Sequence, residues 1–192
     1  RGCHNINFVS PSHVVPQILA AVLVAAQAGL HIPLVYNTGG YDSMAMLELL
    51  AGVIDIYMPD MKYSAADIAK RYSRIRDYPQ INQQAVKEMH SQVGNLSIDK
   101  HGIAVRGLLV RHLVLPNNLA GTDQVIRFLC DQVSPHTYLN IMDQYHPAYK
   151  SHHYPELNRR TTSQEYQAAV KFAFDAGMDN LDQRKPRYWR IN

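Results

Sequence analysis

Asp60 and Lys62 flank Met61 directly after an apolar run, and there residue type and spacing could first hold a ligand. If the extended backbone continues, alternate side chains share one side, so the carboxylate and the ammonium stand together. Such a pair can clasp a polar or zwitterionic molecule, each charge lowering the cost of burying the other. A surface ion pair at the start of a loop is the plainer reading from spacing alone. Arg111-His112 is the second place. Arginine inside the apolar stretch Leu108 to Leu115 is costly to bury without an acid, so it either reaches a barrel mouth or lies on an exposed face. The exposed face is the safer expectation.

Other chemistries find less support. There are ten histidines, but two of them one residue apart on a strand, the ligand pattern of barrel hydrolases, do not occur. His152-His153 beside Tyr154-Pro155 reads as loop rather than as a zinc site, which leaves a metal-dependent hydrolase the weakest of three readings. Cys3 and Cys130 are the only cysteines and lie far apart, giving no C-x-x-C, no zinc spacing and no disulfide framework. A reducing, cytoplasmic setting is the expectation. The net charge of +3 is modest and points to neither nucleic acid nor membrane. The longest apolar run, Ile18 to Ala26, is too short to span a bilayer. The basic tail, Asp182 to Asn192, carries Arg184, Lys185, Arg187 and Arg190 with Tyr188 and Trp189. It reads as packed or solvated rather than as a nucleic-acid contact.

The elements that would position these residues alternate strand with helix. With 192 residues, 46% hydrophobic and 18% charged, the chain suffices for one domain with a sizeable core. Strands are expected over Ile6 to Val9, Ile32 to Tyr36, Val53 to Met58, Leu108 to Leu115 and Thr137 to Met142. Between them fall helices over Val15 to Ala28, from a cap at Asp42 or Ser43 to Leu50, from a Ser64/Asp67 capping box toward Tyr72, and from Pro79 to Val93. Two more follow, one capped by Thr122 and one opening on a Thr162/Glu165 capping box. The first helix is apolar on nearly every side, which suits close packing on a sheet. Leu96 to Val105 reads as a hairpin or excursion. The last helix places Tyr166, Ala169, Val170, Ala173 and Phe174 on one face. The chain opens on Arg1-Gly2-Cys3-His4 without a methionine and runs straight into a strand, with no signal peptide, as though it began inside a domain.

This alternation implies an α/β protein with a parallel sheet, either doubly wound or part of a (β/α) barrel. In both, functional residues stand past the C-terminal strand ends. Here those ends carry Ser10 to His13, Asn37-Thr38, Asp60 with Lys62, Asn117-Asn118, and Gln144-Tyr145-His146, which together look like a binding surface.

The runs Tyr36-Asn37-Thr38-Gly39-Gly40-Tyr41, Asp55 to Tyr63, Val110 to Asn117 and Gln144 to Pro147, in this order, resemble radical S-adenosylmethionine proteins related to pyruvate formate-lyase activating enzyme. The resemblance covers nearly the whole chain. It implies a partial TIM-type (β/α) barrel of parallel strands, here an incomplete domain over 1–192 lacking the first β/α unit, with an excursion around 64–107. S-Adenosylmethionine would lie across the strand ends. Ser10, Ser12 and His13 fall where the family has a Gly-Gly-Glu turn that meets the methionine amino group. Asn37 falls at a polar position facing the ligand, and Asp60 and Lys62 match an Asp-x-Lys element at the methionine and ribose end. Arg111 matches an arginine of the following strand, and His146 a histidine near the adenine.

The chemistry so implied is reductive cleavage of S-adenosylmethionine to a 5′-deoxyadenosyl radical on a [4Fe–4S] cluster, fed by an external electron donor. The target, protein or small molecule, is not readable. The family's C-x-x-x-C-x-x-C loop is absent, so the chain as written is expected to be catalytically silent. A non-catalytic barrel module that binds a small ligand is the alternative. Loss of the first unit would expose a strand edge and apolar helix surface, and self-association is the expected consequence.

Overall fold

β1 (Ile6–Val9) pairs with β2 (Leu34–Thr38), β2 with β3 (Ile56–Pro59), β3 with β5 (Ala104–Leu113) and β5 with β6 (Tyr138–Met142), every pair parallel. β4 (Ser97–Ile98) is short and antiparallel to the start of β5. The structure, a computed structural model, describes residues 2–182. The basic tail read from the sequence therefore lies outside the described residues beyond Asp182. Between the strands run α1 (Val15–Gln27), α2 (Met44–Leu50), α3 (Ala66–Ser73), α4 (Tyr78–Val93) and α5 (Thr122–Gln132), with α6 (Ser163–Asp175) after β6. The parallel strands neighbour one another in chain order, without the reversal that a doubly wound sheet requires. The fold is α/β and of the partial-barrel kind.

The pleat divides the two faces. Tyr36, Tyr57, Leu108, Val110 and Leu139 point to one side and join a single core with Leu47 of α2, Met89 of α4 and Leu129 of α5. Each fully buried leucine or methionine there contributes roughly 1.5–3 kcal/mol. The residues between them turn to the other side. Asn37 is in register with Met58, Asp60 with Arg111, and Arg111 with Asn140. Polar residues at the strand ends are thereby kept out of the helix-covered core.

Several local expectations hold. The Thr162/Glu165 capping box forms in both directions. The hairpin forms between β4 and β5, with the Asp99 carboxylate accepting from the His101 and Ile103 amides at 2.8 and 2.9 Å.

Others are corrected. Ser64 does not cap α3, whose N-cap is Ala65; Ser64 instead donates its amide to the Ala120 carbonyl and packs against Gly121. Thr122 is the first residue of α5 rather than its cap, because Gly121 holds that position. Of the two caps offered for α2, Ser43 holds the N-cap position without a side-chain cap bond, while Asp42 is buried and caps nothing. Arg111-His112 is not on an exposed face: His112 is fully buried and Arg111 half-buried. Helix α1 is not closely packed all round. Only Val15 is buried, while Leu23 and Val24 are 62% and 66% exposed. Phe174 is likewise half exposed, although Ala169 and Ala173 beside it are buried. Among the described residues β1 pairs with β2 alone, so its other side is an open strand edge.

Candidate functional site

Asp60 is the centre of a polar clasp at the C-terminal rim of the sheet. Lys62 Nζ donates to its Oδ2 at 2.5 Å, and Arg111 Nη2 stands 2.6 Å from its Oδ1. The same guanidinium donates to Asn37 Oδ1 at 2.9 Å. Asn37 lies near the end of β2, Asp60 with Lys62 just past β3, and Arg111 near the end of β5, yet their side chains converge. The Asp60 and Arg111 side chains are 20% and 27% exposed, so the pair is largely withdrawn from water without being sealed. Two cations facing one carboxylate leave a net positive charge. Among the described residues Arg111 Nε is buried with no hydrogen-bond partner.

Helix α4 anchors the loops that carry the clasp. The Tyr78 hydroxyl accepts from the Lys62 amide at 3.0 Å and faces the Gly39 and Asp60 carbonyls at 3.0 and 3.1 Å. Burial pushes its phenol pKa well up, so the hydroxyl keeps the proton it donates. One turn on, the fully buried Asn82 donates its Nδ2 to the Gly40 and Asp60 carbonyls, both at 2.9 Å. That closeness requires glycine at 40. A Cβ there would stand 2.2 Å from Asn82 Nδ2 and from the Asp60 oxygen, and φ is +77°. Tyr78 and Asn82 went unnoticed in the sequence. Their signal is an i, i+4 polar pair on the same helix face as Ala85, Val86 and Met89.

A second network ties the turn after β1 to the end of β2. Buried Asp42 accepts from Ser12 Oγ at 2.6 Å, Thr38 Oγ1 at 2.7 Å and the Tyr36 hydroxyl at 3.0 Å. Three hydroxyl donors satisfy a carboxylate that has no cation among these contacts. The Ser10 amide donates to the Asn37 carbonyl at 2.8 Å, and Ser10 itself takes a left-handed backbone with φ 52°. Its side chain and that of His13 are exposed. Of the turn's predicted residues, Ser12 joins the network through its side chain.

Beside the clasp lies a cavity of about 240 Å³, lined by charged Asp60, Lys62 and Arg111 together with apolar Leu113, Leu115 and Met142. His146 is exposed and does not line it; its Nδ1 is 3.4 Å from the carbonyl of Gln144. Cys3 is exposed ahead of β1, and Cys130 is half-buried on α5. Among the described residues no three His, Cys, Asp or Glu side chains gather as a metal site would need. No helix among them is long and apolar enough to cross a membrane.

No family model matches the chain. An uncharacterized protein of Methanocaldococcus jannaschii is 29% identical over 176 residues, which are 91% of this chain. The chain spans about half (47%) of the length of that curated relative. Among solved structures, a domain of a pyruvate-formate lyase-activating enzyme from Bacteroides vulgatus superposes with a TM-score of 0.62 at 9% identity, over 92% of this chain and 95% of that one. A radical SAM methyltransferase from Sphaerobacter thermophilus gives 0.44 at 12% identity, over 93% and 64%. The first likeness establishes a shared fold, the one that the sequence resemblance implied.

Proposed function

We propose that this chain is the S-adenosylmethionine-binding part of a radical S-adenosylmethionine protein of the pyruvate formate-lyase-activating kind. The observation that carries the reading is the meeting of Asn37, Asp60, Lys62 and Arg111 at one rim, beside a cavity lined by both charged and apolar residues. S-Adenosylmethionine has the matching parts. Lys62 and the Arg111 guanidinium suit its carboxylate, Asp60 suits its amino group or ribose hydroxyls, and the Leu113–Leu115 wall suits its adenine. Ser12 and His146 are assigned the amino-group and adenine ends by the resemblance.

The activity implied, reductive cleavage to a 5′-deoxyadenosyl radical for glycyl-radical generation or a related hydrogen abstraction, needs a [4Fe–4S] cluster and an external electron donor. Cys3 and Cys130 do not fit such a cluster, since one is exposed before β1 and the other half-buried on α5. The residues here are therefore assigned binding and orientation, not electron transfer.

Calorimetric titration of the chain with S-adenosylmethionine tests the reading. The wild type should bind, and D60A and R111A should each bind roughly tenfold more weakly or worse, as expected for losing a charge-assisted contact. A chain that binds none would end the proposal. The cysteine placement favours a second reading, a ligand-binding barrel without redox chemistry. Anaerobic iron–sulfide reconstitution of the full-length protein, followed by absorbance and electron paramagnetic resonance, separates them: cluster uptake selects the enzyme, and binding without a cluster selects the module.

A further inference from the structure

His112 is fully buried and no part of the clasp, yet it touches two of the elements around it. Its Nδ1 lies 2.7 Å from the Met61 carbonyl oxygen and its Nε2 lies 2.8 Å from Thr122 Oγ1. A carbonyl can only accept, so Nδ1 carries the proton. Nε2 is then a bare lone pair, and the Thr122 hydroxyl donates to it. The ring is uncharged and held in one tautomer. Burial lowers its proton affinity, and the first turn of α5, where Thr122 sits, also disfavours a cation. Asp60, Lys62 and Arg111 bond one another, and Asp123 of α5 accepts from Asn118.

Met61 is the hinge pin of this arrangement. Its amide donates to the Arg111 carbonyl at 2.9 Å, its carbonyl takes the His112 proton, and its side chain is buried. Asp60 and Lys62 are its covalent neighbours. Because the strand pleat alternates, Arg111 reaches the clasp from one face of β5 while His112 braces it from the other.

We propose that His112 is a positioning residue of the strand-end clasp: as an uncharged Nδ1–H ring held by Thr122, it fixes the Met61 carbonyl and so sets where Asp60 and Lys62 stand against Arg111. Only the ligand arm of the test rests on the S-adenosylmethionine reading.

Imidazole nitrogen–proton correlation spectra of the chain should show Nδ1 protonated and Nε2 still bare at a pH below the ordinary histidine value of about 6.5, where an unburied ring would gain a second proton. H112N keeps an amide nitrogen close to the place of Nδ1, and H112L keeps no donor. Amide exchange at Met61 and Lys62 should quicken roughly tenfold in H112L, stay within about threefold of wild type in H112N, and not change in β2. Affinity for S-adenosylmethionine should fall in the same order. An Nε2–H or doubly protonated ring, or wild-type exchange at those amides in H112L, overturns the proposal. If H112L does not fold, T122V decides, since it keeps the ring and removes the hydroxyl that fixes it: quicker exchange at Met61 and Lys62 supports the assignment and unchanged exchange refutes it. Should the wild type bind no S-adenosylmethionine, the proposed function fails, while exchange and tautomer still judge His112.

Discussion

The hydroxyl of Tyr78 accepts the amide proton of Lys62 at 3.0 Å, and so a helix far along the chain fixes the backbone of a rim residue. Y78F removes that acceptor and leaves the Gly39 and Asp60 carbonyls without its proton. A loss of about 1–3 kcal/mol is expected, read from the denaturant midpoint at unchanged slope. A variant as stable as wild type would show that the phenol is incidental.

Gly40 and Gly52 share a positive φ, +77° and +76°, but differ in surroundings. A Cβ at Gly52 meets nothing within 4 Å, whereas one at Gly40 enters Asn82 and the Asp60 carbonyl. G52A should cost about 1 kcal/mol from backbone strain alone. G40A should cost clearly more and should weaken the clasp; equal melting temperatures for the two variants would contradict the packing described.

The pH dependence has a definite sign. Burial lowers the His112 pKa in the folded chain, so below the ordinary histidine value the unfolded chain binds more protons there than the folded one. Stability contributed by this residue is complete above about pH 6.5 and is lost as the pH falls. Urea midpoints should drop between pH 7.5 and 5.5 by more in wild type than in H112N. The reverse order would mean that the ring is charged when folded.

The β1 edge and the exposed face of α1 carry no charged side chain from Val9 to Val24, apart from His13 if it is protonated. Association of two copies through this surface is expected. It should strengthen rather than weaken with salt, since no ion pair is there to be screened. Sedimentation velocity across a concentration series checks it, and V24K should stay monomeric where the wild type does not.

Much of the fold was legible because β/α alternation is written in local apolar period, and the Thr162–Glu165 box in local spacing. The clasp was half legible. Asp60 and Lys62 announced themselves as a pair, but spacing alone leaves Arg111 on an exposed face, because its acid lies 51 positions away and on a different strand, and the family resemblance is what brings it to the site. Thr122 and Asp42 misled for one shared reason, whereas Ser64 is tied by its backbone amide to Ala120. The hydroxyl or carboxylate that suits a helix cap also suits a tertiary hydrogen bond, and spacing alone does not tell which donor or acceptor will reach it first. Asn82 was hidden because a buried amide on a helix acquires meaning only when the loops it clamps are in place.

Because the parallel strands neighbour one another in chain order, each turn of the winding lends the rim its own atoms: an amide oxygen from one, a carboxylate and an ammonium from the next, a guanidinium from the third. Any recognition there would be shared among successive strand ends rather than lodged in one. A change confined to one of them would retune what the rim holds while the other two keep their aim, without the scaffold being rebuilt.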